Sequence, residues 1–197
     1  MKLRERDNQV ASGRQLSRLS AAALLALFLT GITVGAAEYA RRSPVIARHH
    51  AGSNAITIHV VLAVAAAAAV AGVQARQARR PAERGLSPWA APFSAIAAER
   101  LGRTIRLADG LSATNVARFI ATVPLVLALA YEPFRMGAQL TGGLDPNATV
   151  NAWGGPTYAG ALLAHWLDSL AGFYAAAFLL GRLMLPAAVG NRTPAHG

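Results

Sequence analysis

The stretch Tyr158–Gly181, YAGALLAHWLDSLAGFYAAAFLLG, decides how this chain is read. It belongs to an almost unbroken apolar run between Gly154 and Arg182, longer than the roughly 20 residues a helix needs to cross a hydrocarbon layer. Two ionisable residues, His165 and Asp168, are set into its first half. Such groups are expensive inside a membrane and mark a site by default. Ala161, His165, Asp168, Gly172 and Ala176 recur at steps of three or four, which gathers small and polar side chains on one helical stripe. That stripe is expected to pack inward, with Leu163, Trp166, Leu167 and Leu170 turned elsewhere.

The composition agrees with lipid as the main solvent. Of 197 residues, 54% are hydrophobic and 14% charged, against roughly 25% charged in soluble domains. There is no cysteine, which excludes disulfides, thiolate metal sites and thiol nucleophiles. Lys2 is the only lysine among 19 basic residues, a bias that fits a GC-rich, bacterial genome. The net charge of +10 comes from arginines flanking apolar runs, where membrane topology puts them, and no aromatic reading surface accompanies them. Nucleic acid is therefore not an expected partner. The lipid bilayer is, together with other membrane protein subunits.

The expected fold is all-α: a polytopic membrane protein with four transmembrane helices in a bundle, over residues 19–190. The spans are read at about 19–37, 55–75, 112–131 and 157–186. Residues 1–18 form a basic N-terminal segment and 191–197 a tail. The first span is longer than a signal-peptide core and lacks a clean cleavage site before Glu38, so it reads as a retained anchor. The second is Ala-rich in its inner half and needs shielding by neighbours. The third contains Pro124, a kink that bilayers tolerate where neighbours satisfy the freed carbonyl.

Orientation follows from the arginines. Lys2, Arg4, Arg6, Arg14 and Arg18 precede the first span, and Arg76, Arg79, Arg80, Arg84, Arg100, Arg103 and Arg106 lie between the second and third. The opposite side has Arg41, Arg42, Arg48 and Arg135. This places both termini in the cytoplasm and the protein in the cell inner membrane. Tyr39, Tyr131, Trp153 and Tyr158 then fall at the outer boundary as an aromatic belt.

Within the linker, Phe93, Ala97, Leu101 and Ile105 recur at helical spacing opposite Glu99, Arg103 and Arg106. The segment Pro92–Leu107 reads as a basic amphipathic helix on the inner leaflet or as a docking surface. Residues Pro133–Pro156 read as a long outer loop, in which Trp153, Gly154, Gly155 and Pro156 form a turn back into the bilayer. Asp145, Asn147, Thr149 and Asn151 alternate as at the start of a calcium loop, but Val150 stands where that loop needs Gly and Pro156 where it needs Glu. Asn147-Ala-Thr and Asn191-Arg-Thr fit the glycosylation pattern at a frequency chance alone supplies.

The polar residues His59, Glu132, His165 and Asp168 are expected to converge in the outer half of the bundle. Gly31 and Gly35, with Gly172 on the last span, supply small-xxx-small packing surfaces. The cluster admits three uses: a structural hydrogen bond such as His165 to Asp168, proton relay, or a metal or haem between His59 and His165. No hydrolase elbow, zinc-protease motif, P-loop or dinucleotide fingerprint is present. The paired acidic motif of membrane phosphatidyltransferases lacks its spacing and later aspartates around Asp109-Gly110. The leading expectation is a non-catalytic subunit or accessory protein of a membrane complex. The alternatives are a small proton-coupled transporter using His165 and Asp168, and a haem- or metal-binding redox protein.

Overall fold

The structure, a computed structural model, describes residues 17–78 and 91–187. The basic residues at positions 2–14, Arg79, Arg80, Arg84 and the Asn191 sequon lie outside the described residues. Helices α1 (Arg18–Ala40), α2 (Ile56–Ala78), α3 (Ala95–Ile105), α4 (Ala113–Gly142), α5 (Pro146–Thr149) and α6 (Tyr158–Leu183) follow one another, with a 3-10 turn at Ala91–Phe93. No strand occurs among the described residues. Three helices, α1, α4 and α6, are long and apolar enough to cross a membrane. In α2 the apolar part is shorter, Ile56–Ala68.

Helix starts are set by side chains that accept from backbone N–H groups two or three residues on: Ser17, Ser94, Ser112, Asp145 and Thr157. The Asp109-Gly110 segment is the turn that precedes α4. Asn115 reaches back to the Asp109 and Gly110 carbonyls, and Arg103 pairs with Asp109 at 2.6 Å.

Helix α4 departs from the expected span. It continues past Tyr131 through Pro133 to Gly142, so the first ten residues of the supposed outer loop are helical. Tyr131 consequently lies well inside a helix and not at its boundary. The cause is packing against α1, which overrides the break that Pro133 suggests. A Cβ on Gly31 would collide with the Phe134 carbonyl oxygen, one on Gly35 with the Ala138 carbonyl oxygen, and one on Gly137 with the Phe28 carbonyl oxygen. Thr141 Oγ1 donates to the Ile32 carbonyl across the same seam at 2.8 Å. Gly31 and Gly35 therefore meet α4, and not the polar stripe of α6. At 30 residues and about 1.5 Å per residue, α4 exceeds a hydrocarbon core of about 30 Å and must tilt or protrude.

Helix α6 also packs on α4. Its buried residues are Ala161, Ala164, Ser169, Ala176 and Leu180, while Leu163 and Leu170 are exposed, as expected. Trp166 instead turns to α4 and donates to the Met136 carbonyl. The end of α6 is tied to α3. Arg100 donates to the Gly181, Met184 and Leu185 carbonyls, and the buried Thr104 hydroxyl accepts from Leu185 N–H. A cation there also meets the negative end of the helix dipole.

At the opposite end two loops are stitched together by asparagines. Asn147 Oδ1 accepts from Ala47 N–H while its amide donates to the Ser43 and Val45 carbonyls. Asn151 does the same with His50 N–H and the Arg48 carbonyl. His49 Nδ1 lies 2.7 Å from the Val150 carbonyl. The alternating residues 145–151 are thus a backbone-binding staple, with Asp145 capping α5.

Replacing Gly31 with Ala is expected to force α1 and α4 apart at a cost of roughly 1–3 kcal/mol. Gly72→Ala is the matched control, because a Cβ there meets nothing within 4 Å. Thermal unfolding in mild detergent should show a clear loss for the first variant and none for the second.

Candidate functional site

The expected polar residues lie on three helices. His59 is one turn into α2, Glu132 is in the middle of α4, and His165 and Asp168 are in the first half of α6. Two of the anticipated four pair directly: His59 Nε2 lies 3.2 Å from Asp168 Oδ2. The intrahelical His165–Asp168 bond considered from sequence is not the arrangement found. His165 Nδ1 instead contacts Arg135 Nη2 at 2.8 Å, and Arg135 Nη1 stands 3.8 Å from Glu132 Oε2. Arg135 is the member of the set that sequence reasoning assigned to a loop. Its signal was present: Glu132 and Arg135 are three apart, which faces them together once α4 is known to continue.

His59 is 4% exposed, and its surroundings fix its hydrogens. Its Nδ1 is 2.9 Å from the Ala55 carbonyl oxygen, which can only accept, so Nδ1 carries a hydrogen and donates. Its Nε2 faces a carboxylate oxygen. With Nδ1 donating, Nε2 and a bare carboxylate oxygen would be two acceptors in contact, a repulsion that one proton on the imidazole or on the carboxyl relieves. Arg135 imposes the reverse on His165. A guanidinium only donates, so Nδ1 of His165 accepts, and that ring is neutral with its hydrogen on Nε2.

The loop end buttresses His59. Ala55 N–H donates to the Trp153 carbonyl at 2.6 Å, and the Trp153 ring lies 5.9 Å from the imidazole. Gly154 abuts the Gly160 carbonyl so closely that no Cβ would fit. Gly155 takes φ +93° beside Asn54, in the left-handed region that favours glycine. The Trp-Gly-Gly-Pro turn thereby joins the starts of α2 and α6, and the bulk of Trp153 remains exposed.

Gly172 has a different neighbour from the one its spacing suggested. A Cβ there would stand 2.7 Å from Glu132 Oε1, so the glycine makes room for the carboxylate. Glu132 Oε2 is buried with no hydrogen-bond partner.

Both ring nitrogens of His59 and Nδ1 of His165 contact protein groups. Among the described residues no group of three or more His, Cys, Asp or Glu side chains is placed to hold a metal ion.

Comparison with family models, with curated proteins and with solved structures finds no match. The site is therefore interpreted from its own chemistry.

Arg135→Gln is expected to destabilise the protein by on the order of a few kcal/mol, because it strands Glu132 in a weakly solvated setting. Adding Glu132→Gln should recover part of that loss. A double-mutant cycle measured by thermal unfolding checks this, and strictly additive losses would contradict the coupling.

Proposed function

We propose that this chain is a bacterial inner-membrane protein that binds and releases a proton at His59–Asp168, as a small proton-coupled carrier would. The observation carrying this reading is the hydrogen accounting at His59. On that accounting one proton lies between groups on two helices, at a contact where α2 meets α6. Removing it leaves two acceptors facing each other, so proton release and helix position are linked. Arg135 keeps His165 from competing for the same proton, because protonating its Nδ1 would break the guanidinium contact. The relay pair expected from sequence, His165 with Asp168, is accordingly replaced in this proposal by His59 with Asp168.

The topology belongs to the same proposal. Helix α2 serves as the fourth span, supported by its apolar start and its continuation to Ala78. Both termini lie in the cytoplasm, supported by the distribution of arginines. Helix α3 lies at the inner leaflet, supported by Arg103 and Arg106 and by Phe93, Ala97 and Leu101 facing the bundle.

A second reading, an accessory subunit of a membrane complex, is favoured by α2. It rests mainly on α6, and Ile58, Val60, Val61, Leu62 and Val64 are exposed. Ala65, Ala66, Ala67 and Ala68 are exposed as well. An alanine surface gains little from lipid and permits close approach of another helix. This reading is tested by co-purification in mild detergent. A stable companion lost on Ala66→Leu supports it, and a solitary monomer contradicts it.

For the proton reading, the protein is reconstituted into vesicles holding a pH-sensitive dye, and proton entry is followed under an imposed gradient. Asp168→Asn and His59→Gln are each expected to lower the flux at least tenfold while remaining folded in the membrane. Wild-type protein without flux, or Asp168→Asn with undiminished flux, contradicts the proposal.

A further inference from the structure

Residues 41–55 join α1 to α2 without a helix, and their middle is built unlike a connection that water alone surrounds. Val45 and Ile46 are adjacent, and they are 75% and 60% exposed. The backbone beside them nevertheless finds partners within the protein. Val45 N–H donates to Ser43 Oγ at 3.1 Å. The Asn147 amide takes Ala47 N–H and the Ser43 and Val45 carbonyls, and the Asn151 amide takes His50 N–H and the Arg48 carbonyl. Pro44 has no N–H to satisfy. In water this provision is superfluous, because water satisfies open peptide groups; where water is scarce each open group is costly. A bare aliphatic pair on a backbone held this way suits the layer between water and hydrocarbon.

The depth of the segment agrees with that layer. Arg41 follows α1, a helix long and apolar enough to cross a membrane, so the segment begins where a spanning helix leaves hydrocarbon. Trp153, whose carbonyl accepts from Ala55 N–H, is 64% exposed, and indoles gather at that level. The charge is one-sided as well. Residues 41–50 hold Arg41, Arg42 and Arg48 and no carboxylate. Arg42 lies over the Tyr39 ring at 4.0 Å and donates to the Tyr39 carbonyl, whereas Arg41 and Arg48 are exposed and form no ion pair among the described residues. The carboxylates on neighbouring elements are placed elsewhere: Glu38 lies against Gly142, and Asp145 caps α5.

We infer that residues 41–50 are an interfacial anchor for anionic phospholipid, with Val45 and Ile46 dipped among the first acyl carbons and Arg41 and Arg48 on headgroup phosphates. A zwitterionic headgroup offers the same phosphate but brings its own cation to a patch that is already positive, so a lipid with net negative charge is preferred. Asn147 and Asn151 hold the segment in the shape that presents both kinds of side chain to the bilayer. The anchor shares no residue with the His59–Asp168 contact and does not depend on the proton reading. It requires only that α1 crosses the membrane.

The test uses the full chain in nanodiscs, which leave both membrane faces open to solutes. The sequence contains no cysteine, so Ile46→Cys carries a single environment-sensitive fluorophore. Three quenchers are compared on that one labelled protein: phosphatidylglycerol and phosphatidylcholine, each bearing a nitroxide at the headgroup end of an acyl chain and present at equal mole fraction, and aqueous iodide. The lipids are expected to quench the dye at least as strongly as at Leu127→Cys, an exposed position within α4, and phosphatidylglycerol at least twofold more than phosphatidylcholine. Iodide is expected to quench it at most a third as well as the free dye. Salt at about 1 M, where the Debye length is about 3 Å, should erase the difference between the lipids, and so should Arg41→Gln combined with Arg48→Gln. Asn147→Ala should raise iodide quenching at least twofold. Strong quenching by iodide with little from lipid means a loop in water and overturns the anchor. Weak quenching by all three means that protein covers residue 46 and overturns lipid as the occupant. Equal quenching by the two lipids overturns the anionic preference. The deciding comparison is between quenchers on one labelled protein, so a poorly folding variant does not decide the outcome.

Discussion

Ionisable groups placed among apolar helices must be paired, and here that constraint fixes which helix faces which. Five such residues, His59, Glu132, Arg135, His165 and Asp168, divide into two cross-helix contacts plus one ion pair along α4. The first contact seats α2 on α6; the second holds α6 on α4. His59 uses one ring nitrogen locally, on the Ala55 carbonyl, and turns the other to a carboxylate on α6, while His165 turns to a guanidinium on α4.

The rest of the molecule holds that arrangement in register. Between α1 and α4 the glycines let backbone meet backbone, which leaves α6 to be positioned by polar contacts and small side chains. Arg100 and Thr104 fasten one end of α6 to α3. At the other end Asn147 and Asn151 bind the backbone of residues 43–50, so the segment entering α2 is guided before it reaches His59. Each device satisfies backbone groups that a loop or helix end would otherwise leave open.

Much of this was legible in the sequence, for reasons tied to particular residues. Long apolar runs marked α1 and α6, which are helices long and apolar enough to cross a membrane, and a helix does occur at Ala95–Ile105 in the linker. Helix order and depth led to the expectation that His59, Glu132, His165 and Asp168 gather, without saying which pairs with which. What could not be read was pairing specificity. Gly31 and Gly35 announce a close-packing face but not its partner, which is Gly137 and its neighbours on α4. Pro133, Arg135 and Gln139 look like a loop in isolation, and only contact with α1 explains a helix through them. Arg135 was missed for that reason alone. Asn147 and Asn151 showed a pattern whose obvious reading, a cation loop, was excluded by Val150 and Pro156; their true partners are about a hundred positions away in the chain.

The most direct test of the shared proton is pH-difference infrared spectroscopy of the protein in membranes with carbon-13-labelled aspartate. A carboxyl signal that changes with pH and shifts with the label is expected, lost in Asp168→Asn and moved in His59→Gln, because the imidazole is the carboxyl's partner. A signal that persists unchanged in His59→Gln would contradict it.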